Sequence, residues 1–325
     1  MEKAAGATQD SPHHRLDAVR HDRAEVIPES GHRWKQRSWL GIVPPAQLAL
    51  QGVTVILTAR DEKRGNYAVE SLRRESELTN IIFHQLDVRD DNSVTSLAQY
   101  IESRYGKLDI LVNNAAVSGI VADEEGLKAL DIDAETWTSG RAANLLKEVF
   151  QNTYDEAVNC LNTNYYGCKR VTEALLPLLK LSTSGARIVN ASSLASELKR
   201  MPNEKLRNDL CNINIWDEDR IEAVLNTFLE DLKNGRLEEA GWPMMLPTYS
   251  VSKMVINLYT RIMARRYPEM RINCVRPGFL KTDICWNLGV LMPEQGARGP
   301  VLLALLPDDG PTGCYFDQTE MVNVW

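Results

Sequence analysis

From Val53 onward, apolar strand-like runs alternate with helical stretches, and this alternation constrains the fold more than any other feature of the chain. Residues 53–59 read as a buried strand, 64–75 as a helix, 81–88 as a strand and 93–105 as a helix. Residues 108–112 read as a strand running into Asn113-Asn114. After a long helix over 153–181, with Pro177 near its last turn, come a strand at 187–192, a helix at 249–267 and a strand at 271–276. A last strand is expected at about 312–316. Strands alternating with helices at this spacing predict a parallel sheet covered on both faces, the doubly wound, Rossmann-like α/β fold. The 325 residues suffice for one large domain. It is expected to span 39–325, with a polar-rich insert at 196–246. Residues 1–38 are polar, charged and aperiodic, and are expected to be disordered or atypical. Pro45 suits the start of a short helix and Gly52 its end.

Within this frame, the stretch from Pro247 to Asn257 carries chemistry. Tyr249 and Lys253 are four apart in a helical run, so phenol and ammonium share a face. A nearby cation favours phenolate and lowers a tyrosine pKa, which tunes the phenol to pass a proton to or from a carbonyl oxygen. The spacing alone is weak, since Tyr165 and Lys169 repeat it. Context separates the two. Tyr249 lies between Arg187–Ser193, a strand-like run ending in serines, and Arg271–Gly278, a strand broken at Pro277-Gly278. Ligands of parallel sheets sit at the carboxyl ends of strands. A tyrosine and lysine on an ordinary amphipathic helix remain the alternative.

The totals exclude several classes. A formal charge of -7 leaves no basic footprint for nucleic acid or an anionic membrane. No apolar run reaches the length of a membrane span. The six cysteines are scattered without a C-x-x-C pair, which suits reduced thiols in a cytoplasmic protein. Four of the five histidines (13, 14, 21 and 32) lie in the N-terminal segment at spacings that fit no metal-ligand pattern, so no metal is expected. The N-terminus has no apolar signal core, and its acids argue against a transit peptide.

Taken together, Leu57–Gly65, Leu111–Ala116, Asn162–Gly167, Ile188–Ser193, Tyr249–Lys253, Arg276–Gly278 and Gly310–Gln318 resemble the short-chain dehydrogenase/reductase family over roughly residues 47–319. Within it they resemble the plant carbonyl reductases of the salutaridine reductase and neomenthol dehydrogenase type. The resemblance implies an NADPH-dependent reduction of a ketone or aldehyde. Tyr249 would be the acid/base, Lys253 would lower its pKa and hold the nicotinamide ribose, Ser193 would hold the substrate carbonyl, and Asn164 would support a water relay to the lysine. Arg60, at the end of the second expected strand, suits a 2′-phosphate, and Arg64 adds a second cation one turn on. Asp61 beside Arg60 keeps NAD open. By the same resemblance Asp87 and Val88 would flank the adenine, Asn113 would lie near its ribose, and Pro277, Gly278 and Thr282 near the nicotinamide. The insert 196–246 would line the substrate pocket and cover a surface used elsewhere for oligomerisation, which implies a monomer.

One departure is large. The family opens on a strand, a turn of the form Thr-Gly-x-x-x-Gly-x-Gly and a helix, whose N–H groups reach a pyrophosphate. That turn should lie about thirty residues before Arg60, where residues 30–45 hold no spaced glycine triplet and Pro44 and Pro45 lack N–H groups. The first strand and the turn are therefore expected to be missing or replaced. Either residues 1–46 replace the ancestral start and cofactor binding is impaired, or Trp39–Val43 partly substitutes for the strand. A catalytically silent homologue with a binding or regulatory role is the alternative to the reductase.

Overall fold

The computed structural model describes residues 24–28 and 43–324. Eight strands form one sheet: β1 (Ala24–Pro28), β2 (Thr54–Ala59), β3 (Ile81–Gln85), β4 (Ile110–Asn113), β5 (Arg187–Ala191), β6 (Arg271–Arg276), β7 (Tyr315–Asp317) and β8 (Glu320–Val322). Their order is β8-β7-β6-β5-β4-β1-β2-β3, all parallel except the β7–β8 pair. The strand order reverses beside β1, as in dinucleotide-binding doubly wound sheets.

β1 overturns the expectation that the first strand is missing. Residues 24–28 lie between β2 and β4, with Val26 opposite Ile56 on one side and Leu111 on the other. Both neighbours thereby find backbone partners, which a buried sheet requires. A central parallel strand is usually a continuous apolar run, and Ala-Glu-Val-Ile-Pro is not one, so periodicity did not reveal it. The remainder of the 1–38 segment and the Gly-turn region at 29–42 lie outside the described residues. So does Trp39–Val43 as a strand, except that Val43 opens helix α1 (Val43–Leu50).

Side chains alternate along a strand, and β2, β4 and β5 bury theirs on both faces. In β2, Ile56 joins one apolar layer while Val55 and Leu57 join the other. The first layer holds helices α3 (Asp91–Tyr105), α4 (Tyr154–Leu161), α5 (Gly167–Leu179), α7 (Glu218–Lys233) and α8 (Pro247–Arg266), and the second holds α1, α2 (Glu62–Ser76) and α9 (Arg298–Ala304). Between α5 and α7 comes the short α6 (Glu204–Cys211). Local signals set the ends. Asp61 caps α2 by accepting from the Arg64 N–H, and α3 stops at Gly106 in the left-handed region.

The predicted helix over 153–181 runs unbroken from Tyr154 to Leu179, but not as one regular α-helix. A π-turn at Asn162–Tyr166 separates α4 from α5. Propensity does not signal such a turn, which is common where a helix carries a functional side chain. The insert is not a solvated excursion. Ile221, Leu225 and Phe228 of α7 are buried in the main core, and Tyr166 donates to Glu222 at 2.6 Å. The predicted last strand shifts to Tyr315–Asp317, and β8 was not foreseen because its three residues carry no pattern.

Candidate active site

The carboxyl ends of β4, β5 and β6 converge on the first turn of α8. Pro247 opens that helix with its fixed φ, and Leu246 before it sits at φ 51°, in the left-handed region. This entry places Tyr249 on the wall of a cavity of about 530 Å³, with Ser193, Pro277, Gly278 and Thr282. Ser193 follows β5. Its hydroxyl accepts from the Ala195 N–H at 3.2 Å, and its carbonyl accepts from the Tyr315 hydroxyl at 3.1 Å. Gly278 has φ 98°, and a Cβ there would come within 2.6 Å of the Leu291 side chain. Glycine lets the backbone line the cavity.

Lys253 is buried, one turn beyond Tyr249. Its Nζ donates to the Ala191 carbonyl at 2.7 Å and lies 5.6 Å from the centre of the Tyr249 ring. Burial pulls its pKa down to about 8, against the pull of the Cys168 and Cys160 thiols. Burial likewise pushes the Tyr249 phenol above its usual value; the Cys285 thiol adds to this and a hydrogen bond with the Ser193 side chain opposes it. The expected lowering by Lys253 is therefore not the leading influence on the phenol. Desolvation is stronger here than an ammonium whose nearest partner is a backbone carbonyl.

Asn164 sits inside the π-turn. It accepts from the Val117 N–H at 2.8 Å and donates to the Val117 carbonyl at 3.1 Å and to Ser252 Oγ at 2.9 Å. Ser252 Oγ donates to the Tyr249 carbonyl at 2.7 Å. Asn164 thus braces the segment after β4 against the first turn of α8. Ser252 is the part of this link that the sequence did not reveal. Lys169 of the second Tyr/Lys match is paired with Glu173 and Glu218, and Tyr165 is buried in the core, so that match is structural.

The other expected cofactor residues divide. Arg60 is exposed at the end of β2, and its carbonyl accepts from Gln85. Arg64 lies 3.4 Å from Asp61, which caps the same helix. Asp87 is held by Arg89 through two guanidinium bonds of 3.0 and 2.7 Å, and the leading effect of that pair is to lower its pKa. The Val88 carbonyl accepts from Arg170. The Asn113 amide nitrogen is committed to Thr172 and Asn190, deep in the sheet.

Asn113 Oδ1, Asn114 Nδ2 and Thr282 Oγ1 are nonetheless among the buried polar atoms that have no hydrogen-bond partner among the described residues. Thr282 lines the cavity, Asn113 closes β4 and Asn114 follows it; orphaned polar groups of this kind fit a polar ligand such as a nicotinamide carboxamide or its ribose.

Sequence reading missed the apolar wall. Trp137 stacks on Phe279 with ring centres 5.6 Å apart, and Phe150 meets Trp286 at 4.8 Å. Trp137, Phe279 and Trp286 face the cavity together with Met245 and Leu246. Only the ends of the insert reach it, through Lys199, Arg200, Met245 and Leu246. No helix among the described residues is long and apolar enough to cross a membrane, and no group of three or more His, Cys, Asp or Glu side chains among them could hold a metal ion.

The family model for short chain dehydrogenases matches residues 42–205. A (+)-neomenthol dehydrogenase of Arabidopsis thaliana is 45% identical over 278 residues, covering 85% of this chain and 91% of that protein. Carbonyl reductase [NADPH] 1 of Bos taurus is 34% identical over 83% of this chain and 88% of its own length. The solved structure of salutaridine reductase from Papaver somniferum superposes with a TM-score of 0.81 at 39% identity, covering 91% of this chain and 99% of that one. A parallel sheet with its order reversing beside β1, a Tyr/Lys helix at the strand ends and similarity over most of the chain place this protein in the short-chain dehydrogenase/reductase family.

Proposed function

We propose that the protein reduces a ketone or aldehyde with NADPH, with Tyr249 as proton donor. The observation that carries this is Tyr249 on the cavity wall beside Ser193, with Lys253 buried one turn behind it. When bound, the nicotinamide supplies a hydride. The chain's own residues do the rest. Ser193 holds the carbonyl oxygen, and a fixed donor stabilises the negative charge that develops there. Tyr249 passes its proton to that oxygen. A phenol pushed up by burial is protonated at neutral pH, as a donor must be. Lys253, charged below about pH 8, supports the oxygen as it gains charge. Asn164 and Ser252 hold the helix turn that aims the phenol. The aromatic wall excludes water.

The cofactor preference rests on Arg60 at the β2 end and on the name of the bovine relative. An arginine there suits a 2′-phosphate. Arg60→Glu is expected to raise the KM for NADPH at least about 10-fold, the scale of one charge-assisted contact, and to leave that for NADH within about twofold. Equal effects on the two cofactors would remove Arg60 from this role. The α7 packing that covers α4 and α8 supports a monomer, and the scattered free cysteines support a cytoplasmic protein. The direct test is NADPH oxidation by the purified chain with a panel of ketones and aldehydes; no turnover with any, by a folded chain, sinks the reading.

A further inference from the structure

We propose that the substrate is a ring-bearing carbonyl compound that also carries an anionic group, read by Arg200. This rests on the reductase reading and names its substrate class. The cavity carries an aromatic wall, and the five charged residues of its lining sort by partner; Lys199 pairs with Glu197 at 2.7 Å. Glu135 pairs with Arg141 at 2.8 Å. Asp317 pairs with Arg276, which also lies 3.2 Å from the buried Glu197. Arg200 differs: it forms no ion pair among the described residues. One terminal nitrogen donates to the Thr138 carbonyl, and its buried Nε has no hydrogen-bond partner among them.

The second terminal nitrogen of this half-buried guanidinium donates to no atom among the described residues and is not sealed from the surface, so on the cavity wall it is matched by a carboxylate or similar oxyanion. The flat rings of Trp137, Phe279 and Trp286 match an aromatic or alicyclic skeleton. Tyr249 and Ser193 line the same cavity, so one molecule reaches both the proton donor and Arg200.

The probes are 6-acetyl-2-naphthoate and its methyl ester, followed by quenching of the intrinsic tryptophan fluorescence of the whole chain. This readout needs no turnover, so it separates failure of this inference from failure of the reductase reading. The carboxylate is expected to bind at least tenfold more tightly than the ester, and Arg200→Met to abolish that difference while the ester's affinity stays within twofold. Arg200→Lys should restore part of it. Equal binding of the two probes, loss of both in Arg200→Met, or binding of neither overturns the proposal.

A different observation carries a second inference, this time from codon degeneracy in residues 30–46. We infer that this stretch is the one-base-displaced reading of a message whose neighbouring frame encodes the glycine-rich turn. Take the triplets formed by the last two bases of one codon and the first base of the next. The triplet straddling His32 and Arg33 encodes threonine or isoleucine under every codon choice. The triplet straddling Trp39 and Leu40 encodes glycine under every choice, and so does the one straddling Trp34 and Lys35. Those straddling Arg33/Trp34 and Arg37/Ser38 permit glycine. Read in order, the neighbouring frame accommodates Thr-Gly-x-x-x-Gly-x-Gly, with the forced glycine of the Trp34/Lys35 triplet at the first x position and that of Trp39/Leu40 as the last glycine. The triplets just before it permit Val-Val, a strand end. The displaced triplets also permit residues other than proline at Pro44 and Pro45. The frame resumes before Gln47-Leu48-Ala49, where resemblance to the family begins.

The coding DNA decides this. His32 is expected to be encoded by CAC, and Arg33 and Arg37 by CGG or AGG; any other codon at one of the three overturns the inference. At the protein level, the chain carrying the neighbouring-frame residues over 30–46 is expected to bind NADPH at least tenfold more tightly than the present chain, and equal affinity counts against it.

Discussion

Replacing Tyr249 by phenylalanine is expected to lower the rate of carbonyl reduction by about 10²- to 10⁴-fold, the usual worth of a positioned proton donor. The change removes one oxygen. The ring keeps its place over Lys253 and its cavity contacts, so the melting temperature should move little and ketone binding should persist. The expected signature is a fall in kcat with KM nearly constant, since the lost hydrogen bond matters most in the transition state. The pH profile adds a second check. Lys253 has a pKa lowered to about 8, so it is charged below that pH and neutral above it. The rate of the unsubstituted protein should therefore decline as the pH rises through about 8. In Tyr249→Phe the residual rate should lose most of that dependence, because the lysine then has no phenol to serve. A variant that retains full turnover would remove Tyr249 from the proton step.

Replacing Arg187 by methionine is expected to destabilise the fold by about 3 kcal/mol, the scale of a buried charged group with several hydrogen bonds. Arg187 is almost fully buried at the start of β5. Its Nε donates to the Leu306 carbonyl at 2.9 Å, its terminal nitrogens reach the Ser184 and Gly185 carbonyls, and it lies 2.6 Å from Asp308. Methionine keeps most of the stem but strips these acceptors of their donor. Asp308 is largely exposed and recovers water, so the cost lies in the carbonyls. Thermal unfolding followed by circular dichroism should show a fall of roughly 5 °C or more. An unchanged midpoint would mean that water replaces the guanidinium.

Much of this architecture was legible in the residues. β2 to β6 and their helices announce themselves, because buried parallel strands need unbroken apolar runs and the covering helices need an apolar face. Tyr249 stood out through its bracket of strands, the family resemblance added Ser193, Pro277 and Gly278, and the structure gathers the four on one cavity. Less visible were features set by tertiary partners. β1 is defined by the two strands it joins and not by its own composition. The π-turn leaves no local signal. Ser252 and Asn164 meet across 88 residues. Trp137 lies in a short helix over Ala134–Ser139 and Trp286 in the loop after β6, and no periodicity links them. The influence on Tyr249 was misjudged because sequence spacing shows the nearby cation but not the degree of desolvation.

β1 also bears on how the chain folds as it is made. Its five residues leave the ribosome before the other strands of the sheet, but their second edge waits for β4: the pair Glu25–Ile110 is 110 − 25 = 85 residues apart. The β2–β3 half and the β4–β8 half touch within the sheet only through that strand. Neither half closes its inner edge alone, so the sheet has a late, non-local locking step, which favours slow folding. Once β1 is in place, loosening either half exposes the other. The two halves are therefore expected to unfold as one cooperative unit.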